Sequence, residues 1–165
     1  PRVYMKKGFT LIELMVVIVI MGVLSAVAVP KIFSLVAKAK VSEIQSAAGS
    51  YIHLQEAYLA GSPTFGNWSA IGYTAPGDGN SNNFCYSQGT ITSSAEIETN
   101  DNGTIGWGAS NKSKLNSCAT NSWWSISISG KDKPNIAYNQ YVSSSECQVL
   151  LSRWSVGTTL SGNCN

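Results

Sequence analysis

The sequence predicts an α+β fold in which a long N-terminal α-helix packs on a small antiparallel β-sheet head. Residues 9–30 form an apolar segment with a single charged side chain. Residues 31–60 repeat apolar side chains at helical spacing, with charged and amide side chains between them. Ser, Thr, Asn and Gly make up about half of residues 61–165, a composition that predicts many turns and short strands. The predicted order is therefore a membrane-spanning helix, an amphipathic helix and a globular head.

The apolar segment is long enough to cross a membrane. From Phe9 to Val29 it has 21 residues, which as an α-helix span roughly 31 Å, close to the hydrocarbon thickness of a bilayer. A secretory signal peptide is less favoured, because the apolar residues continue into a helical pattern that only Pro30 interrupts. Charge bias leaves the orientation open, because basic residues flank both ends. They are Arg2, Lys6 and Lys7 before the segment and Lys31, Lys38 and Lys40 after it.

Glu13 is the one charged residue within this segment. A carboxylate near the end of a membrane span costs about 2–3 kcal/mol on insertion scales, and such residues usually have a partner and a function. If the chain were cut after Gly8, the new amino group of Phe9 would become the nearest cation, and a staggered neighbouring subunit could offer it. The alternative interpretation is an acid that is tolerated near the lipid headgroups.

Residues 6–14, KKGFTLIEL, resemble the prepilin peptidase site of type IV pilins. The resemblance implies a leader of residues 1–8, cleavage between Gly8 and Phe9, and N-methylation of Phe9. Residues 1–4 have no counterpart in the short family leader, so we expect translation to start at Met5 or these residues to be extra. The resemblance further implies that Glu13 pairs with the Phe9 amine of an adjacent subunit and so sets the register of assembly.

Gly22 and Pro30 fall where many pilins have a helix-loosening glycine and proline. Glycine lowers helix propensity by about 1 kcal/mol, and proline removes a backbone hydrogen bond and clashes with the preceding turn. We therefore expect the helix to break or unwind between these two residues in a filament. A gentle kink is the alternative, because membrane helices often tolerate both residues.

The amphipathic half is predicted to lay one apolar stripe on the head. It ends at Gly61-Ser62-Pro63, a strong stop signal. His53, the only histidine, lies on this helix without a second ligand at metal spacing, so we interpret it as an ordinary surface or packing residue. The predicted stripe consists of Phe33, Val36, Ile44, Ala47, Tyr51, Leu54 and Tyr58.

The head is predicted to form an antiparallel sheet and one short helix. Alternating apolar and polar residues at 124–129 indicate a half-buried strand. Further strands are expected at residues 89–92, 104–108 and 135–142. Ser143 and Glu146 have the spacing of a capping box, which predicts a short helix from there through Arg153.

All four cysteines, Cys85, Cys118, Cys147 and Cys164, lie in the head. An even number in a translocated domain favours disulfides, and three sets of pairs are possible. We expect Cys85–Cys118 and Cys147–Cys164, because sequential pairs close local loops and resemble the C-terminal bridged loop of many pilins. The competing zinc site lacks C-x-x-C spacing. Disulfides indicate an oxidising compartment, hence the periplasm and exterior of a bacterium, with the N-terminus in the cytoplasm.

The sequence offers no candidate catalytic residue, metal ligand set or cofactor site. Residues 78–82 begin like an EF-hand calcium loop, but Gly89 stands where the bidentate glutamate is needed. Without the leader the chain has eight basic and nine acidic side chains. It shows no basic patch with interleaved aromatic residues, so direct nucleic-acid binding is unsupported.

These observations predict a structural subunit of a type IV pilus, not an enzyme. The resemblance implies prepilin peptidase and the inner-membrane assembly machinery as partners, and a homopolymer as the product. We expect membrane anchoring before assembly and a surface filament for adhesion or motility afterwards. The alternatives are the major pseudopilin of a type II secretion system, which shares the same N-terminal residues, and an adhesive head that binds carbohydrates or surfaces.

Overall fold

The computed structural model describes residues 8–91, 95–96, 103–130 and 135–157, and it has the predicted α+β architecture. The chain divides into two compact units between Val36 and Ala37. The helices are α1, Leu11–Gly61, and α2, Ser145–Gln148, and a 3₁₀ turn covers Pro76–Gly79. The strands are β1 Thr64–Phe65, β2 Phe84–Ser87, β3 Ala95–Glu96, β4 Thr104–Asn111, β5 Trp123–Ser129, β6 Ala137–Val142 and β7 Ser155–Val156.

The second half of α1 belongs to the head unit and supplies one side of its core. Its buried residues recur every three or four positions, which is the spacing of one helix face. The predicted stripe began too early, because Phe33 and Val36 are exposed and Ala37 is the first buried residue. The buried set is Ala37, Val41, Ile44, Ala47, Ala48, Tyr51, Gln55 and Leu59.

Five strands form the main sheet, in the order β2-β4-β5-β6-β7, and β1 pairs with β3 in a separate two-stranded sheet. All neighbours in the main sheet are antiparallel except β6 and β7, which are parallel, so the predicted antiparallel sheet is confirmed only in part. Strand β5 is central and therefore buried on both faces. Ser125 and Ser127, expected to face solvent, are as buried as Ile126.

A bulge in β4 lets α1 approach the sheet closely. The pairing between β4 and β5 shifts between Ile105 and Trp107, which leaves Gly106 as the extra residue. A Cβ atom at Gly106 would collide with the hydroxyl of Tyr51 on α1. Beside it, the indole Nε1 of Trp107 donates a hydrogen bond to the hydroxyl of Tyr73 at 2.8 Å. The helix, a loop and the sheet thus meet in one aromatic core.

Several local predictions for the head were wrong. Residues 89–90 form a turn and Ile91 is in no strand, while residue 92 of the predicted strand lies outside the described residues; the strand in this region is β2. The short helix is capped by Ser144, whose hydroxyl accepts a hydrogen bond from the Cys147 N–H, and not by Ser143. The hydroxyl of Ser143 instead accepts from the N–H of Trp123 at 3.2 Å. The helix α2 ends at Gln148, well before Arg153.

The predicted pairs of cysteines were also wrong. The structure shows one disulfide among the described residues, Cys118–Cys147, with an S–S distance of 2.02 Å. It joins one cysteine from each predicted pair, so neither predicted pair can form. The sheet explains this bond, because the β4–β5 connection and the end of β6 lie at the same end of the sheet. Cys118 lies in that connection and Cys147 follows β6. Cys164 lies outside the described residues.

Candidate assembly site at the N-terminus

Thr10 and Glu13 cap the first turn of α1 together. The backbone N–H and the hydroxyl of Thr10 donate to Oε2 of Glu13 at 2.8 and 2.7 Å. In return, the N–H of Glu13 donates to the hydroxyl oxygen of Thr10 at 3.3 Å. This reciprocal arrangement is a capping box, which satisfies backbone donors that the first turn of a helix otherwise leaves unpaired. Sequence reasoning missed Thr10, although the same S/T-x-x-E spacing was recognised at Ser143.

The other carboxylate oxygen of Glu13, Oε1, accepts no hydrogen bond from the described residues. Both hydrogen bonds that the carboxylate accepts within the described residues end on Oε2. An ionised carboxylate can accept about four hydrogen bonds over its two oxygens. Glu13 is therefore held in one direction by its own chain while Oε1 retains its capacity to accept another donor.

Gly8 and Phe9 precede the helix. Neither has regular secondary structure, both are exposed, and the Phe9 side chain is 87% accessible. The peptide bond between them is thus neither buried nor locked into a helix, as a protease site requires. Residues 1–7, and so most of the predicted leader, lie outside the described residues.

The first half of α1 is apolar and uncovered. No residue between Leu11 and Val36 is buried, although most are large and apolar. Among the described helices, α1 is long and apolar enough to cross a membrane, and none of its most apolar 18-residue window is buried by the chain itself. Such a surface requires lipid or other protein chains around it.

The helix runs without interruption through Gly22 and Pro30 in the single chain. A Cβ atom at Gly22 would meet nothing within 4 Å, so no neighbour within this chain requires a glycine there. The predicted break between these residues is absent from the isolated subunit. Its formation in a filament stays a prediction.

The described residues contain no group of three His, Cys, Asp or Glu side chains that could hold a metal ion. His53 is exposed, with its Nδ1 3.7 Å from Oε2 of Glu56 one turn away. The backbone N–H of Glu146 and the hydroxyl of Ser144 lower the pKa of the Glu146 carboxyl, as expected at a helix start.

The profile of the prokaryotic N-terminal methylation motif matches residues 4–29, and this match defines the class of the N-terminal segment. The N-terminal part of the chain is also similar in sequence to known pilus proteins. The chain is 52% identical over 56 residues to the type IV major pilin protein PilE1 of Neisseria gonorrhoeae. It is 46% identical over 69 residues to a fimbrial protein of Neisseria meningitidis. It is 47% identical over 45 residues to the type IV major fimbrial protein FimA of Dichelobacter nodosus. The predicted resemblance to type IV pilins is thereby confirmed.

The similarity is confined to part of each protein. It covers 33%, 41% and 27% of this chain and 34%, 41% and 29% of the three relatives, in the same order. No solved structure gives a significant match.

Proposed function

We propose that this chain is a structural subunit of a bacterial type IV pilus, held in the membrane before assembly and polymerised through residues 9–30. Cleavage between Gly8 and Phe9 by prepilin peptidase, followed by methylation of the new amine, produces the mature subunit. The observation that carries the proposal is the geometry of Glu13 at the end of an uncovered apolar helix, with Oε2 bound to Thr10 and Oε1 open.

The capping box supports a role for Glu13 in register. Because Thr10 fixes the carboxylate, Oε1 is presented in one direction to the Phe9 amine of an incoming subunit. Two opposite charges are stable in an apolar surrounding only when both are paired, and removing one partner costs about 3–5 kcal/mol. A subunit that enters out of register leaves one of the two charges unpaired, so the correctly staggered arrangement is favoured.

The uncovered apolar surface supports the same proposal. In the membrane, lipid tails surround residues 9–30, and in the filament identical helices replace them. Helix association then depends on van der Waals packing and on interhelical polar contacts, because lipid tails are as apolar as the side chains. Head domains form the outside of the filament, where it acts in adhesion or motility.

The experiment is to shear surface filaments from cells that express the full chain and to measure the intact mass of their main component. We expect this chain as the main component, with Phe9 as its first residue and one methyl group on the amine. Assembled subunits that retain residues up to Gly8 would contradict the processing step. Absence of the chain from surface filaments would contradict the proposed function.

A further inference from the structure

The turn that follows α2 holds Arg153 at the surface of the head. The side-chain amide of Gln148 donates to the carbonyl of Trp154 at 2.8 Å, and the N–H of Trp154 donates to the carbonyl of Leu151 at 3.1 Å. Trp154 is 3% exposed, and its ring centroid lies 6.3 Å from that of Trp107 in the core. The backbone beside Arg153 is therefore anchored, while the Arg153 side chain is exposed.

Two cavities meet at Arg153. The larger has a volume of about 380 Å³ and lies between α1, β6 and the turn. The smaller has a volume of about 250 Å³ and lies along β6 and the start of β7. Gln140 and Arg153 line both cavities. The larger cavity is within the range of roughly 300–1,000 Å³ that is typical of ligand pockets.

The polar side chains at this junction are available to an added molecule. The guanidinium of Arg153 forms no ion pair and no hydrogen bond within the described residues, and the same holds for the side-chain amides of Gln45 and Gln140. A guanidinium only donates hydrogen bonds, whereas an amide side chain both donates and accepts them. The junction therefore offers one cationic donor flanked by two amides.

The adjacent edge of β6 adds backbone groups. Strand β7 pairs only with Tyr141 and Val142, so residues 137–140 have β5 on one side and no described strand on the other. The N–H of Gly157 donates to the carbonyl of Val142 at 3.1 Å, so the backbone groups of Val142 point away from β5. Because backbone groups alternate in direction along a strand, those of Gln140 point the same way. They lie at the open edge, beside the two cavities.

The charges at the junction restrict the kind of ligand. No Asp or Glu is among the described residues that line either cavity, so a cationic ligand would lack a counter-charge. Arg153 is the one cation among them, and a guanidinium binds a carboxylate through two parallel hydrogen bonds. A single cation matches a single carboxylate, but not the closely spaced phosphates of a nucleic acid. The amide and backbone groups match hydroxyl groups, which also both donate and accept.

We propose that this junction binds an acidic saccharide. A sugar carboxylate pairs with the guanidinium of Arg153, and sugar hydroxyl groups bind the amides of Gln45 and Gln140 and the open edge of β6. The two adjoining cavities match two linked sugar units, one on each side of Arg153. All these residues belong to the head unit, so binding does not require a filament and goes beyond the proposed function.

Calorimetric titration of the full chain tests this site, in a detergent without a sugar headgroup. The probes are two acidic saccharides, digalacturonate and sialyllactose. We expect Arg153→Gln to weaken binding at least tenfold, because it removes the charge and the paired hydrogen bonds. Gln140→Ala should weaken binding about threefold, because a neutral hydrogen bond contributes less. Lys114→Gln removes another exposed cation of the head, so it is the matched control and should leave the affinity unchanged.

Neutral sugars separate the role of the carboxylate from that of the ring. Digalactose and lactose, the uncharged counterparts, should bind at least tenfold more weakly than the acidic saccharides. Circular dichroism verifies that each variant is folded. Failure of the wild-type chain to bind either acidic saccharide, equal binding of the neutral sugars, displacement by inorganic phosphate, or unchanged affinity of Arg153→Gln would overturn the inference. None of these results depends on filament formation, which tests the proposed function separately.

Discussion

The two halves of α1 have the same secondary structure but opposite environments. From Leu11 to Val36 no side chain is buried, whereas from Ala37 onwards one face of the helix is closed by the sheet. The hydrogen bonds of the glutamate side chains differ in the same way. Glu13 is bound within its own helix turn, while Glu43 is bound to Tyr86 of β2. The comparison shows that the head buries one face of the second half of α1, whereas no residue of the first half is buried within the described chain.

The largest expected effect concerns the first half and is confined to assembly. Glu13→Val should abolish or strongly reduce filaments while the subunit remains in the membrane with a folded head, because the substitution makes the span more apolar. The Phe9 amine of each incoming subunit then lacks its counter-charge, at a cost of about 3–5 kcal/mol. Filament yield and membrane-fraction abundance, measured without wild-type subunits, check this prediction.

Thr10→Ser is the matched control for Glu13, because serine retains the hydroxyl that caps the helix and orients the carboxylate. It should leave the filament yield close to that of the wild type. Normal filaments with Glu13→Val would refute the register role. Loss of that variant from the membrane would show that Glu13 acts before assembly.

A second prediction concerns the head alone. Replacing Cys118 and Cys147 by Ser should lower the free energy of unfolding by about 2–5 kcal/mol, because the bond closes a long loop. Denaturant unfolding in detergent, followed by tryptophan fluorescence, measures the change. The membrane-spanning half should remain helical.

Peptide mapping without reduction checks the bonds themselves. It should recover the Cys118–Cys147 pair and should show no free thiol at Cys85. A Cys85–Cys118 peptide would contradict the structure. An unchanged free energy of unfolding in the double variant would contradict the stabilising role of the bond.

A matched pair of isoleucines tests the two halves of α1 directly. Ile44 is fully buried, whereas Ile18 is 61% exposed. Ile44→Ala should lower the free energy of unfolding of the head by about 2–5 kcal/mol, through lost burial and the cavity that remains. Ile18→Ala should leave it unchanged. Equal effects of the two substitutions on the free energy of unfolding would contradict the conclusion that only the second half of α1 is packed in the head.

The last effect is absent at neutral pH, appears only in alkaline solution and again affects only the head. Burial raises the pKa of Tyr51, Tyr73 and Tyr86 above the ordinary value of 10.0, and raises the pKa of Tyr138 to about 12. Above pH 10 the unfolded chain therefore loses protons that the folded head retains, so stability is intact below that pH and falls as the pH rises. Between the pKa in the unfolded chain and the pKa in the folded head, each such tyrosine lowers the free energy of unfolding by about 1.4 kcal/mol per pH unit.

A pH titration of tyrosinate absorbance together with near-ultraviolet circular dichroism checks this prediction. Ionisation of these tyrosines should coincide with loss of the tertiary signal. The segment from Phe9 to Val36 contains no tyrosine, so its helix should persist. Ionisation near pH 10 with an intact tertiary signal would contradict the burial argument.

Much of the fold was predictable because it depends on local pattern. The length of α1, its stop at Gly61 and the strand at 124–129 follow from periodicity and from turn residues. The Thr10 cap was also readable, since a hydroxyl residue three positions before a glutamate opens an apolar run. The burial of Ser125 was not predictable, because alternation does not tell whether a strand lies at the edge or the centre of a sheet.

The sequence alone determined that the chain has an apolar helix with one acid near its start, because charge and hydrophobicity are properties of single residues. It also determined where that helix can end. Only the tertiary structure decided which residues meet across long separations, such as Cys118 with Cys147 and Tyr51 with Gly106. It also fixed Ala37 as the first buried residue of α1. Such contacts depend on strand order and register, which arise when the whole head packs and which no local pattern specifies.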